Sequence, residues 1–193
     1  MTFWKSFRHR LEEWGCRALA WGLPRLSRRA CVRLGNALGA LAFVLDRRGR
    51  AVAFANLECA LGDRCAPAQR TRIARASYRN FLRTMLDLFW AARLTPEDFH
   101  RFMHLEGFDE LRARLKREKR GAVFMGVHQG NWEWGSLACG FLGFGNVMVA
   151  ENFKNPRLTA IFSRLRQISG QTIVPQENSI RRCHFSNGKR LKA

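Results

Sequence analysis

The chain has 193 residues, 47% of them hydrophobic, so it is long enough for one domain with its own core and too apolar for wholesale disorder. Its 34 Lys and Arg residues outnumber 15 Asp and Glu residues, and the formal charge of +19 predicts anionic partners. The six cysteines form no CxxC pair and no cluster with zinc spacing, which predicts reduced thiols and no metal site.

Residues 1–21 predict an amphipathic, basic helix that is rich in tryptophan. Its apolar residues recur at intervals of three and four: Phe3, Phe7, Leu11, Trp14, Ala18 and Trp21. This composition is typical of a helix lying in a membrane interface, although a helix packed on a protein core has the same pattern. The uncharged runs 34–45 and 134–150 are too short or too rich in glycine to predict a membrane-spanning helix.

The rest of the chain changes from a helical period to alternating strands and helices. Helices are predicted over residues 25–45, 67–94, 108–119, 131–142 and 155–169, and strands over residues 122–127, 146–150 and 172–175. The predicted fold class is α/β, with a helical N-terminal portion followed by an incomplete, mostly parallel sheet flanked by helices. We expect membrane-associating amphipathic helices over residues 1–46 and an α/β domain over residues 47–193.

His128 follows the predicted strand 122–127, and Glu133 lies five residues later in the first turn of the next helix. Residues five apart point away from each other on a continuous helix, but Gly130 provides a turn that could bring them together. A carboxylate bonded to one imidazole nitrogen would leave the other nitrogen free to accept a proton from a hydroxyl. The alternative is that His128 is a structural residue, since His104 and Asp109 show the same spacing.

The block VHQGNWE, together with RNFLRTMLDLFW before it and ENFKNPRLTAIFSRLRQISGQTIVP after it, resembles the bacterial lipid A biosynthesis (lauroyl/myristoyl) acyltransferases. These enzymes belong to the wider glycerolipid acyltransferase superfamily, and the resemblance covers roughly residues 50–182. It implies transfer of an acyl chain from acyl carrier protein, carried as a phosphopantetheine thioester, to a hydroxyl of a phosphorylated glycolipid. It also implies a peripheral or monotopic location at the cytoplasmic face of the inner membrane, with no further cofactor.

Matched residue by residue, the resemblance implies that His128 is the general base and Glu133 its orienting carboxylate. Asn131 and Gly130 belong to the same block as candidate substrate-binding residues. Arg164 and Arg166 match the basic block of the family, where one guanidinium would bind the acceptor phosphate or stabilise developing negative charge. We favour Arg166 because it lies four residues before Gly170. The alternative for both arginines is a solvated helix flank.

The last eleven residues, CHFSNGKRLKA, lack the apolar run that a further strand would need and resemble nothing in the family. We therefore expect an α/β domain that is truncated at its C-terminus and has little or no turnover. One alternative is an inactive remnant of such an enzyme. A second is a basic nucleic-acid-binding protein, but the charge is spread over every helix and no nucleic-acid motif is present, so no nucleic acid is expected as a partner.

Overall fold

The computed structural model describes residues 3–177, and the first four of its helices form the N-terminal half. They are α1 (Phe3–Gly22), α2 (Arg28–Leu45), α3 (Arg47–Leu61) and α4 (Pro67–Trp90). The sequence does not predict helix α3, because its apolar residues form no clear stripe. In the structure none of its residues is buried. It begins where the side chain of Asp46 accepts a hydrogen bond of 2.8 Å from the backbone N–H of Gly49.

Two glycines on α2 allow it to pack closely along α4. A Cβ atom on Gly39 would lie 2.5 Å from Cα of Arg79, and one on Gly35 would lie 3.0 Å from Cα of Arg83. A larger residue at either position would therefore push the two helix backbones apart. This contact fixes the position of α4 relative to α2, and α4 carries two of the residues that hold the candidate site.

The C-terminal half alternates helices with strands, as the sequence predicts. Its elements are α5 (Phe108–Glu118), α6 (Trp132–Phe141), β1 (Val147–Ala150), α7 (Pro156–Gln167) and β2 (Thr172–Pro175). The two strands are parallel, with Val147 opposite Thr172 and Ala150 opposite Pro175, and α7 forms the crossover between them. The predicted α/β class and the parallel sheet are thus confirmed. The expectation for the last eleven residues lies outside the described part of the chain.

The predicted strand over residues 122–127 is wrong. The segment has no regular secondary structure, and all its residues are exposed, including Val123 and Met125, whose exposed fractions are 90% and 94%. An apolar run becomes a buried strand only if a neighbouring strand accepts its backbone hydrogen bonds. Within residues 3–177, no backbone hydrogen bond joins this segment to β1 or β2.

The core lies where the end of α4 meets α6 and α7. Its largest buried side chains come from these three helices and the turns after α4: Leu88, Phe89, Trp90, Phe99, Trp134, Leu137, Phe141, Phe162 and Leu165. Helix α1 packs on this body through one face only, where Asn155 donates a hydrogen bond to the carbonyl of His9. None of the helices in residues 3–177 has the length and apolar character needed to cross a bilayer.

Candidate active site

The loop that carries His128 is fastened to α4 just before α6 begins. Gly130 has a φ of +60°, in the left-handed region that favours glycine. Its carbonyl accepts a hydrogen bond of 3.3 Å from the hydroxyl of Thr84 on α4. A turn at Gly130 was predicted from the sequence, and the structure adds the contact that holds it.

Asn131 makes two hydrogen bonds that fix the start of α6. Its side-chain oxygen accepts from the backbone N–H of Trp134 at 3.1 Å, which caps the helix. Its amide group donates to Oδ2 of Asp87 on α4 at 2.8 Å. Both polar atoms of the side chain are therefore engaged with protein groups, so in this structure Asn131 positions the site.

Asp87 was not recognised from the sequence as a site residue, yet it joins α2, α4 and α6. Its Oδ2 atom accepts from Nη2 of Arg28 at 2.8 Å as well as from Asn131, and its backbone carbonyl accepts from the indole of Trp134 at 3.0 Å. Burial raises the pKa of Asp87, and the opposing effects of Arg28 and Asn131 do not cancel that rise. The available signal was an acid within the apolar run LDLFW, near a helix C-terminus, where negative charge is unfavourable.

Glu133 is almost completely buried and is paired with Arg166. Nε of Arg166 donates to Oε2 at 2.9 Å, and Nη2 donates to Oε1 at 2.6 Å. The exposed fractions of the side chains are 2% for Glu133 and 14% for Arg166. Such a bidentate, buried pair locks α6 to α7, and removal of either partner would leave the other charge buried and unpaired.

His128 is exposed, and its described contact is with Trp132, whose ring centroid lies 5.1 Å from that of the imidazole. Within residues 3–177, the predicted hydrogen bond between His128 and Glu133 is absent: the carboxylate of Glu133 is buried against the guanidinium of Arg166, whereas His128 is exposed. The role of Glu133 as the carboxylate that orients His128 is therefore corrected. In this structure Glu133 orients Arg166.

Arg166 also lines a cavity of about 170 Å³ at the carboxyl ends of the two strands. The cavity walls include Ala150 and Pro175 at the strand ends and Thr159 and Ser163 on α7. Open α/β sheets bind ligands at this edge. Arg164 is exposed and has no hydrogen bond or ion pair within residues 3–177, so Arg166 alone of the two arginines lies at both Glu133 and the cavity.

The fold and the site together define an α/β protein with a guanidinium at the carboxyl edge of a parallel sheet and a histidine on the exposed loop before α6. The sequence model of the family described as bacterial lipid A biosynthesis acyltransferase matches residues 1–185. The chain therefore belongs to this family, and membership supports an acyltransferase of the lipid A type. Searches of curated proteins and of solved structures gave no significant match.

Proposed function

We propose that this protein transfers a fatty acyl chain from acyl carrier protein to a hydroxyl of a lipid A precursor or a related phosphorylated glycolipid. One observation carries the proposal. Two of the sequence blocks on which the family resemblance rests, the block around His128 and the block that contains Arg166, meet in space through the buried pair of Glu133 and Arg166. This contact supports a single site built from both blocks.

In the proposed reaction, His128 accepts the proton of the acceptor hydroxyl while the hydroxyl oxygen attacks the thioester carbonyl. A bond forms between that oxygen and the carbonyl carbon, the carbon–sulfur bond breaks, and the imidazolium of His128 returns the proton to the departing thiolate of the donor. No enzyme nucleophile is required. The exposure of His128 leaves its imidazole accessible to a substrate, and catalytic hydrogen bonds often tighten only when the substrate is bound.

Arg166 is the proposed source of positive charge for the developing oxyanion or for the acceptor phosphate. The pair with Glu133 uses Nε and Nη2, so Nη1 can donate to a ligand in the adjoining cavity. Glu133 holds the guanidinium in place and is a positioning residue in this scheme. Arg164, which is exposed and has no described partner, is the alternative candidate for binding the acceptor phosphate.

We further propose that the protein binds the cytoplasmic face of the inner membrane through α1. The aromatic side chains of this helix face away from the core: Trp4 and Trp14 are 75% and 71% exposed. Lys5, Arg8 and Arg10 lie between them, which suits an anionic interface. Replacement of Trp4 and Trp14 by serine should weaken binding to vesicles containing phosphatidylglycerol, measured by co-flotation.

The proposed activity is tested with the full chain, an acylated carrier protein and a phosphorylated glucosamine lipid. Replacement of His128 by alanine should lower kcat/KM by about 10²–10⁴-fold, the usual contribution of a general base. The matched control is His104→Ala, since His104 is exposed and shows the same spacing to an acid, and it should retain the wild-type rate. Near-normal turnover of His128→Ala would refute the assigned base. No transfer by the wild-type chain would contradict the proposed activity and favour the alternative of an inactive remnant.

A further inference from the structure

Four arginines form a line along one side of α4, on the N-terminal side of Thr84 and Asp87 of the candidate active site. They are Arg72, Arg75, Arg79 and Arg83, at spacings of three and four residues that place them on one helix face. Arg83 lies eleven positions after Arg72, which corresponds to about 16 Å along the helix axis. All four line one cavity of about 470 Å³, whose other walls include Asn36 of α2 and Asn80 of α4.

The cavity is a groove between α2 and α4. The two helices pack closely at Gly35 and Gly39, where the backbone of α2 lies against the backbone of α4 at Arg83 and Arg79. Asn36 lies between these glycines on α2 and reaches the same groove. The arginine side chains therefore border a concave surface that a convex partner can enter.

The groove has a high positive charge with no compensating acid among its lining residues. Within residues 3–177, none of the four arginines forms a salt bridge; Arg83 donates to the side-chain oxygen of Asn80, and Arg75 lies 5.3 Å from the ring centroid of Phe43. Like charges three or four residues apart on a helix repel each other even when water screens them. A partner with carboxylates at matching intervals would relieve that repulsion.

The groove ends beside the loop that carries the proposed base. Arg83, its last arginine, immediately precedes Thr84, whose hydroxyl donates to the carbonyl of Gly130. Gly130 is two residues from His128. A partner bound along the groove would thus have one end next to the site at which the acyl group must arrive.

We propose that this arginine groove, defined by Arg72, Arg75, Arg79 and Arg83, docks an acidic helix of a protein partner. This inference rests on the proposed function, under which the partner is the acyl carrier protein that delivers the thioester. A membrane surface fits less well, because the groove is concave and none of its lining residues is a large apolar side chain. The exposed aromatic residues that suit a bilayer lie on α1 instead.

The first test measures binding of fluorescently labelled acyl carrier protein to the full chain by anisotropy. The double variant Arg72→Glu and Arg79→Glu should raise Kd about tenfold or more, because it places glutamates opposite the acidic residues of the carrier protein. The control, Lys116→Glu and Arg117→Glu on exposed positions of α5, changes the net charge equally and should alter Kd less than about twofold. Equal effects of the two variants, or no effect of the groove variant, would overturn the docking site.

Two further measurements separate this inference from the proposed activity. The milder variant Arg72→Gln and Arg79→Gln, checked by circular dichroism for wild-type melting, should raise Kd by a smaller factor in the same direction. The ratio of kcat/KM for a carrier-bound donor to that for a small acyl-pantetheine donor should fall about tenfold in the groove variant. If no donor is turned over, the proposed acyl transfer is wrong. The binding measurements still test whether the carrier protein docks at the arginine groove.

Binding to vesicles containing phosphatidylglycerol tests the alternative that the groove faces a membrane surface. If the groove variant loses vesicle binding while its Kd for carrier protein stays at the wild-type value, the groove faces lipid and the proposed docking site is wrong. If it retains vesicle binding and loses carrier binding, the two partners use different surfaces, as the separate locations of the arginine groove and the aromatic residues of α1 indicate.

Discussion

The junction of α4 with α6 and the segment 121–130 that leads into it are both apolar in sequence but have opposite environments. In the junction, Leu88, Trp134 and Leu137 are buried, and Asp87 and Asn131 are joined by hydrogen bonds. In segment 121–130 every residue is exposed. Hydrophobic composition alone therefore does not decide burial, because a segment also needs partners for its backbone groups.

The comparison also separates the two residues that the sequence suggested as one catalytic unit. Glu133 belongs to the tightly held region, where Arg166 occupies both carboxylate oxygens. His128 belongs to the exposed segment and is held through its neighbours Gly130 and Asn131. The anchor points lie within three residues of His128, so the position of the base depends on contacts made by other residues.

The largest expected effect on stability comes from the buried ion pair. Glu133→Gln keeps the size of the side chain but leaves the guanidinium of Arg166 without its counter-charge, and we expect the free energy of unfolding to fall by about 3–5 kcal/mol. Urea denaturation followed by circular dichroism measures this loss. The variant should also lose acyl transfer if Arg166 acts in the reaction.

The matched control for the buried pair is Glu118→Gln, which breaks the exposed pair with Arg114 on α5. Its cost should not exceed about 0.5 kcal/mol. The double variant Glu133→Leu and Arg166→Met should recover most of the stability, since no buried charge is left unpaired. Equal losses for Glu133→Gln and Glu118→Gln would show that the Glu133 pair is not buried in solution.

A pair of apolar truncations tests the contrast between the two regions directly. Leu137→Ala, at a position that is 1% exposed, should lower the free energy of unfolding by about 2–5 kcal/mol. Met125→Ala, at a position that is 94% exposed, should change it by less than about 0.5 kcal/mol. A comparable loss at Met125 would mean that the segment is buried after all, as the sequence alone predicts.

Local patterns were enough to predict most of the fold, because the period of apolar residues and the residues that start and stop helices act within a few positions of the chain. The parallel pairing of β1 and β2 follows from the helix between them. The partner of Glu133 could not be predicted in this way. A carboxylate pairs with the nearest suitable cation in space, and Arg166 lies 33 residues away in sequence.

The role of Asp87 at the site could not be predicted from the sequence for the same reason. Its partners Arg28 and Asn131 are 59 and 44 residues away along the chain, so spacing alone could not reveal the network. Spacing is more informative for the two arginines. The sequence favours Arg166 over Arg164 because Arg166 lies four residues before Gly170, and the structure places Arg166 at the cavity. Its role in binding or catalysis stays a prediction.

A smaller effect is expected at the cap of α6. Asn131→Ala removes the acceptor for the N–H of Trp134 and the donor to Asp87, and should lower the free energy of unfolding by about 1–2 kcal/mol. Asn131→Ser retains a cap but loses the amide donor, so its loss should be smaller. If the alanine and serine variants were equally stable, capping by this residue would contribute nothing measurable.

The smallest effect concerns the pH dependence of stability at Asp87. Because burial raises its pKa in the folded state, the native protein binds more protons than the unfolded chain above the ordinary carboxyl value of about 3.9. The free energy of unfolding of the wild type should therefore fall, relative to Asp87→Asn, as the pH rises from that value through the raised pKa. Denaturation of both proteins across this pH range gives the difference between their free energies of unfolding. The contributions of the other carboxyl groups cancel in this difference, because both proteins contain them. A difference that grows in favour of the wild type as the pH rises would mean that Arg28 and Asn131 outweigh burial and that the junction stabilises the ionised acid.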